Sequence, residues 1–177
     1  MIVAILLLTR FPACAGETGL SKGPVNWSLG ICGGENWSPD KSDVDFISVH
    51  LSALFDHDPF FPYKPARRLR WLLEVQAGST IHHPKRFLTS AGMLIRAQAN
   101  PVSGMIGYGL AGIGIIYSDF QVQGQELRLN FSPQLGIGMD IKNKVYLQIR
   151  WHHISNGGLY EDNTGVNHWV VHTGIYF

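Results

Sequence analysis

The sequence predicts an all-β protein: one eight-stranded antiparallel transmembrane β-barrel. Three observations predict it. Mean hydropathy is close to zero (+0.04) although 45% of residues are hydrophobic and only 15% charged, so apolar and polar groups are interleaved rather than blocked. The interleaving has period two, the repeat of a strand and not of a helix. The segments that carry it are of the ~10-residue length that spans an outer membrane. No run approaches the ~20 consecutive apolar residues of a membrane-spanning helix.

The chain of 177 residues suffices for one domain. Residues 1–15 are set apart as the remnant of a signal peptide: Met1–Leu8 is apolar, and Ala13-Cys14-Ala15 precedes Gly16 with the small residues of a cleavage site. A basic n-region is missing, so the true start is expected upstream of Met1. Phe11 and Pro12 suit a lipoprotein cleavage box poorly, and Cys14 is not expected to be lipidated. Cleavage after Ala15 leaves Cys32 as the one cysteine, so no internal disulfide is expected. Residues 16–177 form the barrel.

The strands follow in order. A glycine-rich strand lies near Asn26–Gly34. Ile47, Val49, Leu51, Ala53 and Phe55 then alternate with Ser48, His50 and Ser52. Leu69, Trp71, Leu73, Val75 and Ala77 oppose Arg68, Arg70, Glu74 and Gln76. Phe87, Ala91, Met93 and Ile95 form the next stripe, and Met105–Tyr117 the fifth strand. Leu135, Ile137, Met139 and Ile141 alternate with Gly136, Gly138 and Asp140; Val145, Leu147, Ile149 and Trp151 with Tyr146, Gln148 and Arg150. Trp169, Val171, Ile175 and Phe177 close the series against His168, His172 and Gly174. Turn-rich pieces separate them: Gly33–Val44, Asp56–Ala66, Ser79–Arg86, Gln98–Gly104 and Ser118–Gln125.

Charge decides which face meets lipid. Arg68, Arg70, Glu74, Asp140 and Arg150 share the polar face, and such groups can pair inside a narrow barrel but not among acyl chains. The apolar stripes are therefore assigned outward; a soluble ligand-carrying barrel would invert this, and periodicity alone does not separate the two. An aromatic carboxyl terminus, Phe177, resembles the assembly signal of bacterial outer-membrane proteins and favours the membrane reading.

Other chemistries are poorly served. A net charge of +1 gives no bulk attraction for nucleic acid. His57 with Asp56 and Asp58, and the pair His82-His83, lack the spaced partners that a metal centre of three or four ligands needs, so no metal and no cofactor are expected. Gly109-Leu110-Ala111-Gly112-Ile113-Gly114 lacks the strand-then-helix context of a phosphate loop. His152 has inward parity and is placed in a lumen network. Arg67 is a candidate contact to lipid phosphate, while Arg68 and Arg70 are expected to pair internally.

The strand Lys144–Ser155 carries the candidate chemistry. Its outward stripe runs Val145, Leu147, Ile149, Trp151, then turns polar at His153 and Ser155 in the same parity. Tryptophan marks the membrane interface, so this change falls at one rim of the lipid band. An imidazole that takes the proton of a serine hydroxyl is the minimal activated nucleophile. If Trp151 lies opposite Trp169, His153 lies opposite Asn167, which also faces outward. The loop 156–166 brings Asn156, Gly157, Gly158 and Asn163, donors suited to a developing oxyanion. The short connection at Lys142-Asn143 reads as periplasmic and the longer one after Ser155 as extracellular, which sets the site in the outer leaflet.

Arg150-Trp151-His152-His153-Ile154-Ser155-Asn156-Gly157-Gly158, followed by Asn163-Thr164-Gly165 and the aromatic end, resembles the signature of the lipid A 3-O-deacylase family, the PagL type. The resemblance is strong over Arg150–Phe177 and only general barrel character upstream. It implies an eight-stranded barrel in the bacterial outer membrane that hydrolyses the ester-linked 3-hydroxyacyl chain of lipid A without cofactor. It implies Ser155 as nucleophile and His153 as base, with oxyanion contacts around Asn156, Gly158 and Asn163. Lipid A or lipopolysaccharide is then the substrate and outer-membrane lipid the surroundings; a homodimer is left open. One departure stands out: where the family's acid, usually glutamate, is expected, this chain has Asn167. Glu161 or Asp162 in the loop are alternative partners for His153. The competing reading is a catalytically weakened or non-enzymatic structural barrel.

Overall fold

The computed structural model describes residues 24–37, 44–56, 68–82, 85–118, 128–159 and 165–177. Eight strands follow the chain: β1 (Asn26–Asn36), β2 (Phe46–Asp56), β3 (Arg68–Thr80), β4 (Phe87–Gln98), β5 (Met105–Ser118), β6 (Leu129–Ile141), β7 (Val145–Ile154) and β8 (Val166–Tyr176). Each pairs antiparallel with its chain neighbour, and β1 pairs with β8 to close the barrel. Closure removes the free edges that an open sheet would expose.

Every stripe assigned from the sequence is a strand, with ends extended by a few residues. The largest difference is β6, which starts at Leu129 rather than near Leu135 and contains Pro133. Proline disfavours a central strand because it has no N–H to give. Here Pro133 pairs with Ile113 of β5, whereas the β6–β7 ladder begins only at Gln134. On the β7 side Pro133 thus falls in a gap between that ladder and a single bridge at Phe131, where its missing donor is tolerated.

The faces divide as the charges require. Leu29, Ile31, Ile47, Val49, Val75, Ile113, Leu135, Ile137, Ile149, Val171 and Ile175 are exposed on the outer wall. With Met93 and Ile95 of β4, they form a girdle of bare apolar side chains around all eight strands, stable against acyl chains and not against water. Inside, Arg150 is fully buried and held bidentately by Glu74, Nη1 to Oε1 at 2.8 Å and Nη2 to Oε2 at 3.0 Å. Its remaining donors reach Gln134 Oε1 at 3.1 Å and, through Nε, Gln148 Oε1 at 2.8 Å. Arg96 pairs with Asp140, donates to Tyr176 Oη at 2.8 Å and covers the Tyr108 ring at 3.5 Å. Arg70 bonds Asp56 at 3.2 Å in an exposed pair where β2 ends and β3 begins.

Two apolar clusters accompany these polar groups. Leu54, Leu72, Leu94, Tyr108 and Leu110 fill the end nearer the carboxyl terminus. Cys32, Val44, Phe46, Leu88, Ile116, Ile154, Val166 and Val170 fill the other. This second cluster contains Ile154 and its partner Val166, and so anchors from inside the strand ends that carry His153 and Ser155 outside. Residues 1–15, Arg67, His57, Asp58, His83, Glu161, Asp162 and Asn163, singled out from the sequence, lie outside the described residues.

Candidate active site

Trp151 pairs with Trp169, and His153 accordingly with Asn167, the register on which the sequence argument rested. His153, Ser155 and Asn167 are each half-buried on the outer wall, at the rim of the aliphatic girdle. His153 Nδ1 lies 2.9 Å from Asn167 Oδ1. An amide oxygen can only accept, so Nδ1 is the donor, and in the neutral imidazole Nε2 is then the lone pair. That is the tautomer a general base for a hydroxyl needs.

Two further groups hold the ring. Trp151, two residues back on the same face, stacks on it with centroids 5.8 Å apart and planes 20° from parallel. Gly165, just before β8, forms its floor: a Cβ there would meet His153 Cε1 at 2.6 Å and Nε2 at 3.2 Å. Its backbone has φ +44°, a left-handed conformation that glycine adopts without strain. Parity could have placed Trp151 beside His153; Gly165 becomes visible only once the turn is folded.

Ser155 sits one residue beyond β7. An isolated bridge to β6 fixes its backbone: Phe131 N–H donates to Ser155 O at 2.8 Å and Ser155 N–H to Phe131 O at 3.0 Å. Odd parity carries its hydroxyl to the face that His153 occupies. Among the described residues the two side chains form no hydrogen bond; catalytic contacts of this kind are often long without substrate and tighten on binding.

The loop then turns through Gly157 (φ +67°) and Gly158 (φ +80°). Asn156 is buried, and its Oδ1 accepts from Gly158 N–H at 2.8 Å, an Asx turn. The Gly158 amide, expected as an oxyanion donor, is thus already engaged in shaping the turn. A Cβ on Gly157 would press on the Phe131 ring at 3.1 Å, so the same turn packs against the strand that holds Ser155.

His152 is buried in the lumen, tilted against His172 with ring centroids 5.6 Å apart. His82 bonds Asp45 at 3.1 Å in a surface pair. The glycine run 109–114 lies within β5 and cradles no ligand loop.

The family model described as lipid A 3-O-deacylase (PagL) matches residues 64–176. Among solved structures, the outer membrane enzyme PagL superposes with TM-score 0.62 at 18% identity, over 84% of this chain and 98% of that one. Neisserial surface protein A follows with TM-score 0.54 and 13% identity over 86% and 96%. The N-terminal β-barrel domain of Pseudomonas aeruginosa OprF gives 0.51 and 13% over 88% and 100%. These likenesses are of fold. No curated protein sequence matches the chain significantly.

Proposed function

Since the chain belongs to the lipid A 3-O-deacylase (PagL) family, we propose that Ser155 and His153 form its esterase centre, with Asn167 orienting the base. The protein is a barrel of the bacterial outer membrane, and its substrate is lipid A. The observation that carries the assignment is the 2.9 Å contact of His153 Nδ1 with Asn167 Oδ1 beside a serine on the same outward face.

In the proposed reaction His153 Nε2 removes the Ser155 hydroxyl proton as Oγ attacks the ester carbonyl at the 3-position. The tetrahedral oxyanion collapses, the C–O bond to the sugar breaks, and the imidazolium returns its proton to the departing 3-oxygen. Water, deprotonated by the same imidazole, then frees the 3-hydroxy fatty acid from Ser155. No other reagent is required.

Oxyanion stabilisation is assigned to Asn156, Gly158 and Asn163. The Gly158 amide is shared between Asn156 Oδ1 and the developing charge, and Asn163 lies in the loop beyond the described residues. The hydroxyl faces sideways into the leaflet, so an acyl ester at the rim reaches it without leaving the membrane. We assign that rim to the outer leaflet because the short three-residue turn 142–144, of periplasmic type, lies at the opposite end.

The test is mass spectrometry of lipid A incubated with the refolded protein. Loss of one 3-hydroxyacyl chain with the wild type, and no loss with Ser155→Ala, is the expected pair of results. Identical lipid A from both would sink the assignment.

A further inference from the structure

We propose that Cys32, His50 and His172 form a binding site for a Zn²⁺-type transition-metal ion inside the barrel, separate from and independent of the Ser155 centre. The three come from adjacent strands. Cys32 on β1 and His172 on β8 are direct cross-strand partners, and His50 on β2 stands diagonally from Cys32, opposite Gly30. Each offers one ligand atom, and the three atoms lie within 4.8 Å of one another. Tetrahedral zinc, with Zn–S about 2.3 Å and Zn–N about 2.0–2.1 Å, sets its ligand atoms roughly 3.5 Å apart. Small side-chain rotations close that difference.

The donors are chemically ready. His172 is completely buried, and neither of its ring nitrogens has a hydrogen-bond partner. Buried imidazole nitrogens are costly to leave so, and a metal ion satisfies one directly. His50 Nε2 is bonded to Tyr146 Oη at 2.5 Å, while its Nδ1 has no partner. That arrangement suits coordination through Nδ1, with Tyr146 as the outer partner that fixes the ring. Gly30 makes it possible, since a Cβ there would run into His50 Nε2 at 2.7 Å. Cys32 Sγ has Ser48 Oγ at 2.9 Å, a hydroxyl able to donate to a thiolate. His152, whose Nε2 is likewise unpartnered, packs on His172, and the fourth coordination position is open to water.

Binding releases the Cys32 thiol proton, and the thiolate offsets one of the two metal charges. The neighbouring Arg150 is already matched by Glu74, so the lumen charge stays modest. Thiolate with imidazole is the donor set of zinc and its neighbours rather than of calcium or magnesium.

Cobalt(II) is the probe, added while the full chain with Cys14→Ser, in which Cys32 is the only thiol, refolds into detergent. One equivalent should bind with a thiolate-to-cobalt charge-transfer band and tetrahedral visible bands, and Zn²⁺ should displace it. His172→Gln should weaken binding by more than the roughly 10- to 100-fold typical of losing an outer-shell partner. Cys32→Ser should abolish the charge-transfer band. A correctly folded barrel, judged by its heat-modifiable gel mobility, that shows no such band overturns the proposal, as does a band that survives Cys32→Ser. Should Cys32→Ser fail to fold, the single-thiol parent still decides, since any thiolate band in it can come only from Cys32.

Discussion

His153 and Asn167 face each other across the β7–β8 ladder, Nδ1 to Oδ1 at 2.9 Å, so the partner of the imidazole is a neutral amide and not a carboxylate. The amide fixes the tautomer as well as an acid would, but it carries no charge to balance the imidazolium formed during attack. Asn167→Glu should therefore raise kcat. The gain should be roughly 10- to 100-fold, below the about 10⁴-fold penalty seen where an amide also imposes the wrong tautomer. Asn167→Ala should lower kcat with little change in KM. Deacylation rates on detergent-dispersed lipid A read both, and an Asn167→Glu variant slower than wild type would count against this role.

Gly165 should prove sensitive to substitution although it bears no side chain. A methyl there would sit 2.6 Å from His153 Cε1, on a backbone at φ +44°. The imidazole must tilt away from Asn167, and a displacement of about 1 Å at such a site costs on the order of 100-fold. Gly165→Ala should thus lose activity by about that factor while the barrel, whose ladder starts at Val166, keeps its folded gel mobility. Retained activity would show that the ring is not seated there.

Ser155→Ala and His153→Ala should each remove activity, and the double variant should be no slower than either alone. Residues acting as one nucleophile-base unit are non-additive, because either loss already disables the step. Multiplicative losses would assign the two side chains separate roles.

How much was legible in the sequence follows from where information is local. Parity named the outward stripes and put His153, Ser155 and Asn167 on one wall, because a strand has only two faces and the Trp151–Trp169 register sets the rest. The ring seat at Gly165 was not legible, since it depends on a turn geometry that no periodicity encodes. Nor was the grouping of Cys32, His50 and His172, which lie far apart in sequence and meet only because β8 closes on β1. Pro133 hid the start of β6, as a proline argues against a strand unless it falls in a gap of the ladder, as it does here.

Glu74 should be a stability residue rather than a catalytic one. Arg150 is fully buried, and Glu74 supplies both of its carboxylate contacts. Removing one partner of such a pair leaves an uncompensated charge, at a cost of about 3–5 kcal/mol. Glu74→Ala should lower the unfolding free energy in urea with lipid vesicles by about that amount, and a change under 1 kcal/mol would mean that other groups neutralise Arg150.

The inside-out polarity of the barrel has its own test. Ile137, Ile149 and Val171 form one row across β6, β7 and β8, two residues from the row of Leu135, Trp151 and Trp169 towards the turn 142–144. This row lies between the tryptophan row and Ile141 at the end of the stripe, and is assigned to the middle of the lipid band. Ile137 is 68% exposed on that wall, so an arginine there meets acyl chains and not protein. Arginine at the bilayer midplane costs about 2–4 kcal/mol in a barrel of this kind and close to nothing near the interfaces. Ile137→Arg should destabilise the protein in vesicles by that amount, while Ile141→Arg, at the end of the same stripe, should cost less than about 1 kcal/mol. In a water-soluble barrel both arginines would be solvated and both changes near neutral. Unequal costs that fall from Ile137 to Ile141 are therefore specific to a wall that faces lipid.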